Sequence, residues 1–589
     1  MARGFATALV CLTIGALTAA DGRAGLPAPP AFKWQRCPPA FCETGWYASP
    51  AAADVDGDGQ VDALWGGYTL MAVNGSTGAL EWHYAPIGGD RIWPDVALVD
   101  LNGDHRPEIV AAFYSQLVVL GGSGTPLPSW PAQPFASGEM RTLAVADLDG
   151  DHVPEILVAD AASTRTGQWT VLEPDAAVRP GWPRLQTASG AEGYAAGCYN
   201  ENVAVADLDG DGRGELVASS DVHYLASFQD DGTPIPADLR FATSSHPSPL
   251  WGQVNFNLDE AEDIQGYSNC TGPSDPRPNF ASSPPAIADL DGDGSLEIVV
   301  VGRFQDCSVQ PQVDLFEEPY VLRPDRTRWA AGSFDWTVLP TPIGSAAPLA
   351  PLDAFDVIQA PQPNPVLADL DGDGQKEILF PSYDGRLHAL WLDKTEHYGW
   401  PFVLAKGDGA IRYASPPAVV DLDHDGKAEV IFTTWTQAGS NKYGELVILD
   451  YQGHLLGSVE LPHAMGDTWG GALAAPTVAN IDGDPDLEVL VGTADAGLVA
   501  YDLPGTAGAR VLWGTGRGSF ARTGFVPEPE VSAGGAASIL ALALLALGSR
   551  SSGARRPAGV PASAASARAA RRSLRSRAKS AVSAAPRSG

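Results

Sequence analysis

A nine-residue acidic unit recurs eight times along this chain, and nothing else in the sequence constrains the fold as strongly. Its fullest copy is Asp289-Leu290-Asp291-Gly292-Asp293-Gly294-Ser295-Leu296-Glu297, entered from Ala286-Ile287-Ala288 and left through Ile298-Val299-Val300-Val301. Carboxylates or amides occupy positions 1, 3, 5 and 9 of every copy. They are Asp54, Asp56, Asp58 and Asp62; Asp100, Asn102, Asp104 and Glu108; Asp147, Asp149, Asp151 and Glu155; Asp207, Asp209, Asp211 and Glu215. After Asp289, Asp291, Asp293 and Glu297 come Asp369, Asp371, Asp373 and Glu377; Asp421, Asp423, Asp425 and Glu429; and Asn480, Asp482, Asp484 and Glu488. A unit repeated this often specifies a repeat architecture.

Acids this close repel one another, and a tight turn brings them closer. A hard cation removes that cost, and Ca²⁺ takes six to eight oxygen ligands. These residues are therefore candidate ligands for up to eight Ca²⁺ ions. Positions 1, 3, 5 and the Gly at 6 resemble the start of an EF-hand loop, but an EF-hand needs its bidentate Glu at position 12. Position 12 of the first copy is Trp65. An Asp-Gly hairpin turn without metal explains the Asp and Gly, but not the recurring acid at position 9. The eighth copy is the one least suited to an ion: it has Asn480 at position 1 and Pro485 at position 6, where Pro cannot reach positive φ.

The flanks are short, apolar and β-branched, so they predict buried strands and not the helices of an EF-hand. Each repeat continues alike. The sixth gives Gly385-Arg386-Leu387-His388-Ala389-Leu390 and then Gly399-Trp400-Pro401; the third gives Gly167-Gln168-Trp169-Thr170-Val171-Leu172 and Gly181-Trp182-Pro183. Four strands per repeat, with the metal loop between the first two, predict an all-β propeller of four-stranded blades. Eight repeats predict eight blades, with seven plus an irregular unit as the alternative. The 65 Gly and 49 Pro suit many short strands and turns. The net charge of −34 is largely ligand charge, because 30 of the 32 loop positions are acidic. No nucleic-acid partner is expected.

Val205-Ala206-Asp207-Leu208-Asp209-Gly210-Asp211-Gly212 with Glu215-Leu216-Val217, and the sister copies, resemble the FG-GAP or VCBS repeats of the N-terminal β-propellers of integrin α-subunits. The resemblance covers residues 45–526. It implies a calcium-stabilised propeller serving recognition or adhesion. Phe-Gly and Gly-Ala-Pro signatures are not consistently present, so integrin partners do not carry over.

Residues 1–20 read as a secretory signal and 21–44 as a linker before the propeller at 45–526. Export permits disulfides; Cys37 and Cys42 are close enough to pair, while Cys198, Cys270 and Cys307 remain open. A linker at 527–535, an apolar segment at 536–548 and a basic tail at 549–589 follow. Their order, from Val526-Pro527-Glu528-Pro529 to the arginines, resembles a PEP-CTERM sorting signal. Membrane contact is expected only through that segment, and the tail is expected to be disordered. Loop starts are spaced by 46, 47, 60, 82, 80, 52 and 59 residues. The long intervals predict insertions bearing Trp251, Tyr267, Phe280, Trp329 and Trp336, a candidate binding surface.

No nucleophile motif, His-Glu-x-x-His or phosphate loop is present. The expected function is a non-catalytic recognition or adhesion module, exported and surface-attached or secreted, whose partner is an extracellular protein or glycan. A calcium-dependent polysaccharide lyase is the alternative. Gly75-Ser76-Thr77-Gly78-Ala79-Leu80-Glu81-Trp82 resembles the tryptophan-docking motif of quinoprotein dehydrogenases, but it occurs convincingly only once.

Overall fold

The computed structural model describes residues 28–39, 42 and 47–527, less the stretches 131–132, 135–138, 161–168, 183–199, 220–224, 236–249, 252–279, 281–282, 307–312, 325–327, 341–360 and 464–469 and residues 43–46, 87, 129, 202, 234 and 438. The expected leader, apolar segment and basic tail lie outside these residues, as do Cys198, Cys270 and Cys307. The described elements are β-strands, without a helix among them.

Each acidic unit opens a small antiparallel sheet. In the first, Ala51–Ala53, Asp62–Gly66, Leu70–Asn74 and Leu80–Tyr84 pair in sequence order. The second and fourth sheets follow the same order. The third has Met140–Ala146, Glu155–Asp160 and Trp169–Leu172, and the fifth Ala286–Ala288, Glu297–Asp306 and Val313–Leu322. The sixth is Val366–Ala368, Glu377–Pro381, Arg386–Leu390 and Phe402–Val403. The seventh opens with Ala418–Asp421 and the eighth with Thr477–Ala479. First strands are short and mostly buried, because neighbouring sheets cover both their faces. Outer strands such as Leu80–Tyr84 and Leu455–Glu460 alternate toward solvent.

Consecutive sheets share apolar cores. Leu64 and Leu70 pack with Ile109 and Phe113, and Leu157 and Trp169 with Val205 and Leu216. The eighth sheet shares a core with the first, through Ile481 and Leu490 against Ala63 and Met71. The outer strand of the eighth sheet comes from the other end of the chain. Ala31–Arg36, expected in a linker, pairs antiparallel with Leu498–Leu503. The Cys37–Cys42 disulfide follows directly, a pairing that sequence proximity allows but does not fix.

Among the described residues, six tryptophans tie one sheet to the next through the same bond. The indole N–H of Trp34 donates to Gly75 O at 2.6 Å, Trp82 to Gly122 O at 2.7 Å and Trp130 to Pro174 O at 2.7 Å. Trp182 donates to Asp230 O at 3.2 Å, Trp336 to Leu392 O at 2.9 Å and Trp400 to Tyr451 O at 3.0 Å. The sequence motif picks out Trp82 alone, yet docking recurs wherever a tryptophan body can fill the gap between sheets with its polar edge satisfied. Phe280, Trp329 and Trp336, expected on exposed insertions, are buried at 0%, 1% and 1% exposure and belong to the core. Tyr267 lies outside the described residues, as does the side chain of Trp251.

The first strands converge on the last described segment. Arg510–Trp513 pairs with Ala418–Asp421. Beyond it, Gly514 O accepts the N–H of Val478, Phe520 O that of Leu98, Ala521 O that of Val145, Thr523 O that of Val205 and Gly524 O that of Ile287. Six sheets thus satisfy a first-strand N–H on one strap of chain, residues 510–525.

Candidate metal centres

In the first six loops position 1 organises the turn by accepting the N–H groups of positions 4 and 6; in the eighth, Asn480 Oδ1 accepts that of position 4, Gly483. In the sixth, Asp369 Oδ1 accepts the N–H of Gly372 at 2.7 Å and Oδ2 that of Gly374 at 3.0 Å. Both glycines have positive φ, 78° and 89°, where a Cβ is strained. In the second and third loops His105 and His152 stand at position 6 with φ of 68° and 70° and still donate N–H to Asp100 and Asp147. Their imidazoles are 79% and 62% exposed, with Nδ1 3.9 Å from Asp100 Oδ2 and 3.6 Å from Asp147 Oδ2. His424 holds position 4 of the seventh loop with φ 61°.

Position 9 begins the second strand, opposite the residue before position 1: Ala288 faces Glu297 and Ala368 faces Glu377. One of its carboxylate oxygens accepts the N–H of position 2 in all eight loops, by Val55, Leu101, Leu148, Leu208, Leu290, Leu370, Leu422 and Ile481. The other oxygen faces the loop centre. Glu215 Oε1 and Glu377 Oε1 are buried there without a hydrogen-bond partner, as are Asp371 Oδ1 and Asp421 Oδ1. Orphaned buried carboxylate oxygens are costly unless a cation or donor reaches them.

Three of the four candidate positions come together in each of five loops, positions 1, 3 and 5 in the first and positions 1, 3 and 9 in the other four. Carboxylate atoms of Asp54, Asp56 and Asp58; of Asp147, Asp149 and Glu155; of Asp207, Asp209 and Glu215; of Asp289, Asp291 and Glu297; and of Asp369, Asp371 and Glu377 each lie within 4.8 Å of one another. Burial, followed by the neighbouring acids, pushes the Glu377 carboxyl up to about 9 and that of Glu429 to about 8. Glu215 and Glu297 rise to about 7 for the same reasons. Such clusters fit an oxygen-seeking divalent cation, which would neutralise the repulsion and fill the orphaned positions. Two loops depart from the pattern. Asn102 turns its amide Nδ2 toward Glu108 Oε1 at 2.5 Å, and Asn480 turns its own toward Asp484 O.

A family model described as an FG-GAP-like repeat matches residues 100–158 and 369–432, which hold the second, third, sixth and seventh loops. Among solved structures, the chain is similar to the V. cholerae biofilm matrix protein Bap1, at 15% identity over 81% of this chain and 92% of that one, with a TM-score of 0.35. It is similar to the exotype rhamnogalacturonan lyase YesX at 14% identity over 81% and 75%, with a TM-score of 0.42. BamB from Moraxella catarrhalis gives 12% identity over 77% and 96%, with a TM-score of 0.40. A comparison with curated proteins finds no match. The chain thus carries FG-GAP-like repeats within an all-β architecture of small antiparallel sheets.

Proposed function

We propose that the chain is an exported, calcium-stabilised, eight-bladed β-propeller that acts as a non-catalytic recognition or adhesion module, presented at the cell surface or released from it. The observation that carries this reading is the strap. A central channel is the concave feature a propeller offers to a small substrate. Here residues 510–525 occupy the place where the first strands meet, and their carbonyls are committed to Leu98, Val145, Val205, Ile287 and Val478. A filled axis leaves the outer faces and the loops between sheets for a partner, which suits binding to an extracellular protein or glycan. Calcium as the ion follows from the oxygen-only ligand set and from the millimolar calcium outside cells, which would fill loops of modest affinity.

One cluster favours a second reading, a polysaccharide lyase. Beside the sixth loop, Trp391 donates its indole N–H to Asp371 Oδ2 at 3.1 Å and stacks on His397 at 4.5 Å. Tyr398, 59% exposed, packs edge-on against Tyr451 at 5.6 Å, and Lys427 Nζ lies 2.8 Å from Tyr451 Oη. A cation with Lys, His and Tyr on one face is what abstraction beside a uronate carboxylate would need. The test is release of unsaturated uronate from pectic polymers. The recognition reading predicts none above background; steady release abolished by Lys427→Ala would replace it with the lyase.

A further inference from the structure

The eighth loop holds a cation of the protein's own. Lys33, on the outer strand Ala31–Arg36, sets its ammonium against Asp482 Oδ2 and 3.3 Å from Glu488 Oε1. These are positions 3 and 9. Glu488 Oε1 is also the oxygen left over once Oε2 has accepted the N–H of Ile481. The ammonium therefore sits between the two ligands that a divalent ion would bridge. The rest of the loop is adapted accordingly. Asn480 removes the charge at position 1 and points its amide at Asp484 O, and Pro485 has no N–H to offer position 1.

The third loop repeats the arrangement from a different strand of argument. Arg179 places Nη2 3.0 Å from Asp149 Oδ2 and Nη1 3.5 Å from Glu155 Oε1, again positions 3 and 9. Glu155 Oε2 is again the oxygen spent on backbone, accepting the N–H of Leu148. Arg179 is held in place by Glu173 at 3.0 Å and by Asp230 at 3.4 Å, and its side chain is only 10% exposed. In the fifth loop the contrast is plain. The charged neighbours acting most strongly on Glu297 are Asp291, Asp293 and Asp289, all negative.

We propose that Lys33 replaces calcium in the eighth loop and Arg179 in the third, so that neither loop takes an ion. The inference rests on the calcium reading of the other loops. A divalent ion entering beside a fixed positive charge that already bridges positions 3 and 9 would meet repulsion in a partly buried site. The strand Ala31–Arg36, which completes the eighth sheet, is then held by an internal ion pair whatever the calcium concentration.

The test is the number of calcium ions bound to the full chain by native mass spectrometry, for the wild type, Asp482→Ala, Asp149→Ala and Asp291→Ala. The proposal expects the first two variants to bind as many ions as the wild type, and Asp291→Ala to bind one fewer. Loss of an ion in either Asp482→Ala or Asp149→Ala overturns it. A wild type that binds no calcium, or an Asp291→Ala variant that loses none, overturns the calcium reading itself and the inference with it. The variant Lys33→Gln/Asn480→Asp/Pro485→Gly, which rebuilds the eighth loop, is expected to bind one ion more than the wild type; an unchanged number would overturn the part assigned to Lys33.

Discussion

The guanidinium of Arg522 lies 3.3 Å from the carboxylate of Asp95, with both side chains cut off from solvent. Arg522 Nε also donates to Val96 O at 2.9 Å, Nη1 to Gly516 O at 2.8 Å and Nη2 to Pro50 O at 3.1 Å. The planar fork thus binds the strap to the entry of the first and second sheets, a set of directions that Lys cannot reproduce. Removing one partner leaves a buried charge uncompensated, at a cost of about 3–5 kcal/mol. Arg522→Met should lower the unfolding free energy by that order in denaturant titrations, and Arg522→Lys should recover little of it.

The strap itself is expected to be needed for the sheets to assemble. Gly516 has no room for a side chain: a Cβ there would come 2.1 Å from Asp95 Oδ2 and 2.4 Å from Ser49 Oγ. Gly516→Ala should destabilise by overpacking, about 1–3 kcal/mol. A chain ending at residue 509 should melt far lower than one ending at 527, because the first strands of six sheets lose their bonds to the strap. Equal melting of the two would show that the strap is ornamental.

Docking tryptophans should each contribute measurably. Trp400→Phe keeps the aromatic body but strands Tyr451 O, whose 3.0 Å bond is lost. A loss of about 1–2 kcal/mol is expected, with little change in the far-ultraviolet circular dichroism.

The sixth sheet contains a pH-sensitive buried network. His388 lies 3.0 Å from Glu396 Oε1 and 3.3 Å from Asp384 Oδ2. Burial alone would lower the imidazolium, but Asp384 and Glu396 outweigh it and lift His388 to about 10. A raised histidine stabilises the fold below its unfolded value near 6.5 and loses that contribution as pH rises through the folded value. Relative to His388→Gln, the wild type should therefore be more stable by about 3 kcal/mol at pH 6. The advantage should shrink steadily between pH 7 and 10. A difference that is constant over this range would contradict a charged His388.

Much of this was legible in the sequence. Spacing at positions 1, 3, 5 and 9 locates the loops and the strands on either side, because those are local geometry. Position 9 could be read as a ligand, though not that half of its carboxylate is spent on the N–H of position 2. What stayed hidden is long-range. Lys33 meets Asp482 across 449 residues, and Arg522 meets Pro50 across 472; no period links them. Ala31–Arg36 lacks a loop of its own, so nothing marks it as a strand of the eighth sheet. Trp329 and Trp336 fall in a long interval between loops, and interval length alone cannot separate a core strand from an exposed insertion.

The most direct measurement is the melting temperature of the full chain in millimolar calcium and in excess chelator, with metal content checked in both. Ions that bind only the folded state stabilise it by about 2.7 kcal/mol per site at a hundredfold excess over Kd. Filled loops of the FG-GAP-like type should therefore raise the transition by many degrees and make it depend on calcium concentration. Superimposed melting curves from calcium-loaded and verified metal-free protein would contradict the claim that these acids exist to hold ions.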